Sequence, residues 1–325
     1  MKKLLSFIAS NYHLEKIGGS WEKLQEIIKA HDIDGVEIMT GGYYDPHNVN
    51  SIDVVGHHFL YFPSWLHMWL EDKEELIKEF ESLDYAKKVY GGWGRKRLIE
   101  FYKNEILDSQ KMKSEYIVFH VAHVGLDEVF GDNFKYGQKE VLDHTADLIN
   151  EIFHDIEDGP LLLFENLWWP GMDLLDDVMT KNFIDRIEYK NTGIMLDISH
   201  LILTSKNIHD YSDVEGYIEE NITSSPILKK LIKGIHLNST FPENYRKNKL
   251  AKNRELVEVL DSRLERYKII IDHITNLDTH KIYDDFSINK IIEKLDIKYL
   301  VLEFKWNSKE ELEENLKKQN KVLLI

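Results

Sequence analysis

The sequence predicts an α/β fold, a (β/α)8 TIM barrel with long insertions after strands 3 and 7. Short apolar segments rich in β-branched and aromatic residues recur along the 325 residues, and amphipathic helical stretches lie between most of them. Nearly continuous apolarity is typical of parallel strands that are covered on both faces. Repeated alternation of such strands with helices indicates a closed barrel.

The predicted elements can be placed in chain order. The predicted strands are residues 4–10, 35–40, 52–58, 116–121, 161–166, 193–198, 234–238 and 299–304. The predicted helices include 20–31, 73–89, 139–156, 173–187, 214–220 and 288–295. Residues 41–51 are too few for an ordinary helical crossover, so we expect a missing helix or a single turn there.

Two connections are long, residues 60–115 and 241–298, and both leave from predicted C-terminal strand ends. The apolar run 268–275 (KIIIDHIT) inside the second could be an extra strand or a displaced barrel strand. The chain has no internal repeat, low-complexity tract or Pro/Gly-rich linker. We therefore expect one domain over residues 1–325, with residues 60–115 as an aromatic-rich insertion over the barrel mouth.

Composition narrows the functional classes. The chain has no cysteine, which excludes disulfides, thiolate zinc fingers and cysteine nucleophiles and leaves histidine and carboxylate as metal ligands. The net charge of −16 disfavours broad binding to nucleic acids or anionic membranes. No apolar run reaches the ~20 residues that span a bilayer. The first apolar run ends at residues 11–13 without a convincing cleavage site, so it predicts a strand rather than a signal peptide, and we expect a cytoplasmic protein.

Polar side chains at the ends of predicted strands point to the chemistry. They are His58, His120, Glu165, Asp197, His200, His236 and Glu303. A single strand-end histidine is usually a capped or core side chain. Burial of the whole set is costly unless a shared cation compensates it. Nitrogen and oxygen donors without sulfur suit zinc, manganese or iron, so we expect a divalent metal, one ion or a cluster of two or three.

Four motifs resemble the strand ends of the xylose-isomerase-like barrel superfamily. They are FEN at 164–166, LDISH at 196–200, IHLN at 235–238 and LEF at 302–304. This superfamily includes sugar phosphate isomerases and epimerases and the endonuclease IV (AP endonuclease family 2) proteins. The resemblance implies a shared metal site formed by Glu165, Asp197, His236 and Glu303.

A second set of motifs is similar to the endonuclease IV branch. They are HFLY at 58–61, FH at 119–120, DISH at 197–200 and DTH at 278–280. By this resemblance His58, His120, His200, Asp278 and His280 are further ligands, enough for two or three ions. However, residues 41–51 contain no Lys or Arg, and the Gly-rich run expected after DxH is replaced by KIYDD at 281–285. Both departures disfavour DNA as the substrate.

Several ligand assignments have a neighbouring competitor. Strand alternation admits only one of His57 and His58 to a site, and His58 matches the HxxY pattern. His123 competes with His120 in the same way. Asp272 and His273 compete with the DTH motif if 268–275 is a barrel strand.

Substrate contacts are predicted from aromatic and basic residues near strand ends. Tyr61, Trp65, Trp168 and Trp169 could form a wall that encloses a small molecule and excludes water, or could only pack the insertion onto the barrel. Arg246, in the basic run 245–254, could hold a phosphate or carboxylate of the substrate or lie on a solvated helix face.

The predicted function is a metal-dependent isomerase or epimerase of a small sugar, polyol or sugar phosphate, with Glu165 and Glu303 as proton-transfer groups. The first alternative is an endonuclease IV-like multinuclear zinc phosphoesterase. The second is a non-catalytic ligand-binding barrel. We expect a small-molecule partner rather than nucleic acid or a membrane, and the oligomeric state stays open.

Overall fold

The computed structural model describes residues 1–40, 49, 52–260 and 262–324. Its eight strands pair in parallel in chain order, and the last strand pairs with the first to close a barrel. The strands are β1 (Lys2–Ile8), β2 (Gly35–Met39), β3 (Val54–His58), β4 (Tyr116–His120), β5 (Leu161–Glu165), β6 (Thr192–Asp197), β7 (Ile232–Leu237) and β8 (Tyr299–Leu302). The predicted (β/α)8 barrel is confirmed.

Helices cover the outside of the barrel and fill the two long connections. In the described part of the chain the α-helices are α1 (Asn11–Lys16), α2 (Trp21–Ala30), α3 (Trp65–Trp69), α4 (Lys73–Phe80), α5 (Leu83–Tyr90), α6 (Gly94–Met112), α7 (Gln138–Phe153), α8 (Asp177–Arg186), α9 (Ile198–Leu203), α10 (Tyr211–Ile218), α11 (Pro226–Leu231), α12 (Glu243–Asn248), α13 (Leu250–Val259), α14 (Arg263–Leu277), α15 (Ser287–Lys294) and α16 (Lys309–Val322), and a π-helix, Glu219–Thr223, follows α10. Helices α3–α6 follow β3, and α12–α15 follow β7. None of these helices is long and apolar enough to cross a bilayer.

Two sequence predictions about helices need correction. The run 268–275 is neither an extra strand nor a barrel strand, because it lies inside α14, where the buried residues Ile270, His273 and Leu277 follow helical spacing. The predicted helix 73–89 is two helices: Glu81 adopts a left-handed φ of 66°, and the Ser82 hydroxyl then caps α5. The prediction for residues 41–51 falls outside the described residues, apart from Val49.

The barrel encloses its own small apolar core below the C-terminal strand ends. It includes Leu4, Val55, Tyr116, Leu163 and Val301, all less than a tenth exposed. A larger core, between the outside of the barrel and the helices, contains most of the remaining buried side chains. The inner core packs directly beneath the polar side chains at the strand ends. The positions of its side chains therefore affect the positions of those polar groups.

Gly56 makes room inside this inner core for a tyrosine. It pairs with Glu37 next to a register shift between β2 and β3, and a Cβ atom at Gly56 would lie 2.3 Å from Cζ of Tyr116. The ring of Tyr116 therefore crosses the barrel where a side chain at position 56 would otherwise be. Its hydroxyl group reaches the Glu37 carboxylate, at 2.7 Å.

We predict that Gly56→Ala lowers the free energy of unfolding by about 1–3 kcal/mol, because the added methyl group overpacks the barrel interior. Denaturant unfolding measures this change. Gly216→Ala is the control, because a Cβ atom there meets nothing within 4 Å and replaces a helical glycine. It should stabilise the protein by roughly 0.5–1 kcal/mol. Equal effects at both positions would contradict the packing of Tyr116 against Gly56.

Candidate metal centre

The carboxylates and the histidine expected from the last four strands converge at the C-terminal end of the barrel. Asp197 ends β6, His236 lies near the end of β7, and their Cα atoms are partners across the sheet. The Nδ1 atom of His236 lies 3.4 Å from Glu165 Oε1, 3.9 Å from Asp197 Oδ2 and 3.3 Å from Glu303 Oε2. One imidazole nitrogen therefore faces three carboxylates from three different strand ends.

Two more histidines reach the same cluster from β3 and β4. The Nε2 atoms of His58 and His120 lie 2.9 Å and 3.0 Å from Glu165 Oε2. Their ring centroids are 4.7 Å apart, in an edge-to-face arrangement. Because His120 and Glu165 are partners across β4 and β5, the parallel register holds them at the same level.

The DTH segment completes the network. His200 Nδ1 lies 3.2 Å from Glu165 Oε1, and its Nε2 lies 3.4 Å from Asp278 Oδ2. The same Asp278 oxygen lies 2.6 Å from His280 Nε2, and the His280 Nδ1–H donates to the backbone carbonyl of Glu303 at 3.2 Å. The nine side chains that the sequence singled out as metal ligands thus form one connected cluster.

The alternative candidates for metal ligands, His57, His123 and His273, lie outside the cluster. His57 faces Thr40 and Glu105, outside the barrel interior. His123 accepts a hydrogen bond from the Leu66 N–H and packs edge-to-face on His67. In α14, His273 contacts the Tyr245 hydroxyl and the Val129 carbonyl. Strand alternation therefore favours His58, as the HxxY pattern indicated.

The aromatic residues expected to bind substrate differ in whether they contact the cluster. Trp65 is 2% exposed and donates its indole N–H to the Ala122 carbonyl, and Trp169 is 5% exposed. Trp168 packs on the ring of His200, at 5.2 Å, and Tyr61 packs on that of His120, at 4.9 Å. Trp65 and Trp169 thus have packing contacts, whereas Trp168 and Tyr61 also border the cluster.

Arg246, the predicted anion-binding residue, lies in α12. Its Nη1–H donates to the backbone carbonyl of Ser205, at 3.3 Å. Among the described residues, Arg246 contacts no carboxylate of the cluster. It also does not line the cleft that opens beside the cluster.

A cleft of about 270 Å³ opens beside the cluster, between the ends of β1, β2 and β8. Its lining includes Ser6, His13, His280, Glu303, Lys305 and Trp306. The volume lies just below the ~300 Å³ at which pockets for drug-sized ligands begin. Because Glu303 and His280 form part of its wall, the cleft gives a small molecule access to the cluster. None of Ser6, His13, Lys305 and Trp306 was predicted from the sequence.

Glu37 is a buried member of the cluster that sequence reasoning missed. It is fully buried on β2, and its Oε1 lies 3.0 Å from His236 Nε2, on the opposite edge of the ring from the three carboxylates. The hydroxyl of Tyr116 donates to its other oxygen. A carboxylate on the far nitrogen fixes the tautomer and orientation of a metal-binding histidine. A lone charge inside the apolar segment GVEIM was the available signal.

Two asparagines, also missed, hold the strand ends in place. Asn166 accepts from the Asp197 backbone N–H and donates to the Asp197 carbonyl, at 2.8 and 3.1 Å. Asn238 donates its amide to Asp197 Oδ2 at 2.8 Å and to Glu303 Oε2 at 3.2 Å. Both residues directly follow a strand that carries a side chain of the cluster, in the FEN and IHLN motifs, which places an amide beside the carboxylates it orients.

The cluster groups shift one another's pKa values. Burial alone would raise the pKa of Glu165, but the charges of His120 and His236 outweigh burial and hold it well below its usual range. Burial raises the pKa of Glu303 to about 7. Against the effect of burial, neighbouring carboxylates raise the pKa of His280 to about 9 and that of His236 well above its usual value. Two adjacent carboxyl groups thus differ in how tightly they hold a proton.

The donor set fits a divalent cation. Three groups of side chains place their donor atoms within 4.8 Å of one another, and Glu165 belongs to two of them. They are Glu37–His58–His236, His58–His120–Glu165 and Glu165–Asp197–His236. His236 Nδ1 is buried and has no hydrogen-bond partner in the described structure, although it faces three carboxylates. A nitrogen and several oxygens aimed at one point suit zinc, manganese or iron.

A closed parallel barrel with a histidine–carboxylate cluster at its C-terminal end defines a class of (β/α)8 proteins in which sites form at that end. The sequence matches the family described as xylose isomerase-like TIM barrel over residues 91–321. The chain therefore belongs to this family. A search of curated proteins found no match.

Two solved structures share the fold at low identity, and a third is similar to the chain at a lower TM-score. The 3-keto-D-glucoside 4-epimerase YcjR from E. coli has 12% identity and a TM-score of 0.51, covering 99% of both chains. The IOLI protein with a bound zinc atom has 14% identity and a TM-score of 0.50, covering 99% of this chain and 96% of the other. Endonuclease IV from Thermus thermophilus has 12% identity and a TM-score of 0.46, covering 99% of this chain and 98% of the other.

We predict that Glu37→Gln weakens zinc binding about 10–100-fold, because the amide orients and polarises His236 less well than a carboxylate. A competition titration with a zinc-binding dye measures the affinity. Glu79→Gln is the matched control, since Glu79 also pairs with a buried histidine, His67, at 3.1 Å, but outside the cluster. Unchanged zinc affinity in a folded Glu37→Gln variant would contradict the role of Glu37.

Proposed function

We propose that this protein is a divalent-metal-dependent isomerase or epimerase that acts on a small sugar, polyol or sugar phosphate by metal-assisted proton transfer. The observation that carries the proposal is the convergence of Glu165, Asp197, His236 and Glu303 beside a cleft of small-molecule size. A similar structure, YcjR, is a sugar epimerase by its description, which supports the same class of substrate.

The four converging side chains would hold the metal, with His58, His120, His200, Asp278 and His280 able to hold further ions. When bound, a divalent ion polarises adjacent carbonyl and hydroxyl oxygens and so acidifies the C–H bond between them. The side chains of the protein would fix the position of that ion. Asn238, which donates to both Asp197 and Glu303, fixes the direction of two of the carboxylates.

Proton transfer is assigned to Glu165 and Glu303. The low pKa of Glu165 keeps it ionised at neutral pH, whereas burial raises the pKa of Glu303 to about 7, so that Glu303 can hold or release a proton there. Environments that push the pKa values of two carboxyl groups apart are typical of acid–base pairs. The two residues approach the site from β5 and from the end of β8, so they can act from different sides of a substrate.

The cleft wall supplies the apolar surface that such chemistry requires. Phe304 and Trp306 are each less than a tenth exposed, and the Trp306 ring stacks on Phe7 with centroids 6.1 Å apart. An apolar wall next to polar groups binds the carbon face of a small polyhydroxylated molecule and limits access of water.

A second function is favoured by one specific observation, the size of the cluster. His58 and His120 contact Glu165, and His200 links Glu165 to Asp278, so the side chains could hold more than one ion. Two-metal sites are typical of phosphoester hydrolysis. We keep an endonuclease IV-like phosphoesterase as the alternative, with DNA disfavoured by the net charge of −16.

We predict that metal-loaded protein incorporates solvent deuterium into one or more members of a panel of ketoses and aldoses, detected by proton NMR. The reason is that proton transfer at carbon exchanges the substrate hydrogen with solvent. Glu165→Gln and Glu303→Gln should each lower the exchange rate by about 10²-fold or more. Glu115→Gln is the control, because Glu115 pairs with Lys2 at the opposite end of the barrel.

The same protein is incubated with DNA that contains an abasic site. Cleavage that Glu165→Gln abolishes, together with no exchange in any sugar, would replace the isomerase proposal by the phosphoesterase alternative. Retention of full exchange in Glu165→Gln and Glu303→Gln would remove both residues from the proton-transfer step.

A further inference from the structure

The cleft beside the cluster contains one cationic side chain with no role in the proposed reaction. Lys305 lies two residues after Glu303 and lines the same cleft as Glu303 and His280. Its ammonium group donates to the backbone carbonyl of Asp278, at 2.9 Å. Within the described chain, no carboxylate forms an ion pair with it.

Local backbone contacts hold Lys305 in position. Its N–H donates to the His280 carbonyl at 2.8 Å, and His280 in turn donates to the Glu303 carbonyl at 3.2 Å. These two hydrogen bonds join the DTH segment to the chain that follows β8, at Glu303 and at Lys305. The side chain starts from a fixed point beside the cluster rather than from a free loop.

The ammonium group is not used to neutralise the cluster. It bonds to the backbone carbonyl of Asp278 rather than to a carboxylate of the cluster. An ammonium group has three N–H donors, and the described contacts use one of them. The remaining donors are available to a molecule in the cleft, because Lys305 is exposed there.

His13 and Trp306 form an aromatic part of the cleft lining. The His13 ring packs edge-to-face on Trp306, with centroids 6.0 Å apart, and its Nδ1 contacts the Ser10 hydroxyl at 2.7 Å. The lining of the cleft therefore combines aromatic rings, two side chains of the cluster and one lysine.

We infer that the substrate carries an anionic oxygen group, a phosphate or a carboxylate, that binds to the ammonium group of Lys305. The inference rests on the proposed function and specifies its substrate class. A buried cluster of carboxylates in a chain of net charge −16 repels a free anion, so an anionic substrate needs a dedicated cation. A charge-assisted hydrogen bond from Lys305 provides it. The predicted residue for this role, Arg246, instead donates to the Ser205 carbonyl.

Isothermal titration calorimetry of zinc-loaded protein tests the inference with three probes: fructose, fructose 6-phosphate and glucuronate. At least one anionic probe should bind about tenfold or more tightly than fructose. Lys305→Gln should remove this preference by weakening the anionic probe more than fructose, whereas Lys305→Arg should keep most of it. Lys309→Gln is the matched control, because Lys309 lies in α16 and pairs with Glu313.

Each outcome has a definite meaning. Preference for fructose 6-phosphate or for glucuronate identifies the anionic group as phosphate or carboxylate. Equal binding of neutral and anionic probes, or equal weakening of all probes in Lys305→Gln, would overturn the inference and leave the sugar chemistry standing. Failure of the proposed function differs, because then no sugar binds and no deuterium exchange occurs. If Lys305→Gln does not fold, the wild-type protein decides: raised salt should weaken binding of the anionic probe but not of fructose.

Discussion

The structure depends on charge compensation at the end of the barrel. Glu37, Glu165, Asp197 and His236 are all 1% exposed or less, and the three carboxylates lie 3.0, 3.4 and 3.9 Å from a ring nitrogen of His236. Buried carboxylates at such distances require cations between them. In the described structure the imidazoles provide them: His236 has a carboxylate next to each ring nitrogen, and its pKa is raised well above the usual value because of them. A divalent ion would take over the charge that protons supply there, which explains why metal binding and protonation compete at such sites.

Strand register decides which side chains take part in this compensation. Parallel pairing places His120 beside Glu165 and Asp197 beside His236 at the same height in the barrel. The inner core also contacts the cluster. Because Gly56 has no side chain, the Tyr116 hydroxyl can reach the Glu37 carboxylate. The cluster is therefore a property of the barrel as a whole rather than of any one loop, because its side chains come from several strands and contact the inner core.

Much of the fold and of the cluster could be predicted from the sequence, because most side chains of the cluster lie at the ends of apolar strands and so share one edge of the sheet. Glu37 could not be assigned in this way, since a single charge within a strand does not show which face it occupies. The face of β3 that His58 shares with the cluster also needed the structure or a family pattern. The run 268–275 was misleading because its β-branched residues favour strands locally, whereas burial at Ile270, His273 and Leu277 follows a helix. Lys305 and His13 were missed because cleft walls depend on how separate strand ends meet in space.

The most direct measurement of the central claim is anomalous diffraction from crystals of zinc-loaded protein, collected on both sides of the zinc absorption edge. An anomalous peak is expected among Glu165, Asp197, His236 and Glu303, with ligand atoms about 2.0–2.3 Å from the ion. Further peaks near His58 and His120, or near His200 and His280, would count additional ions. Absence of a peak among the four converging side chains, with zinc bound only elsewhere, would contradict the metal centre.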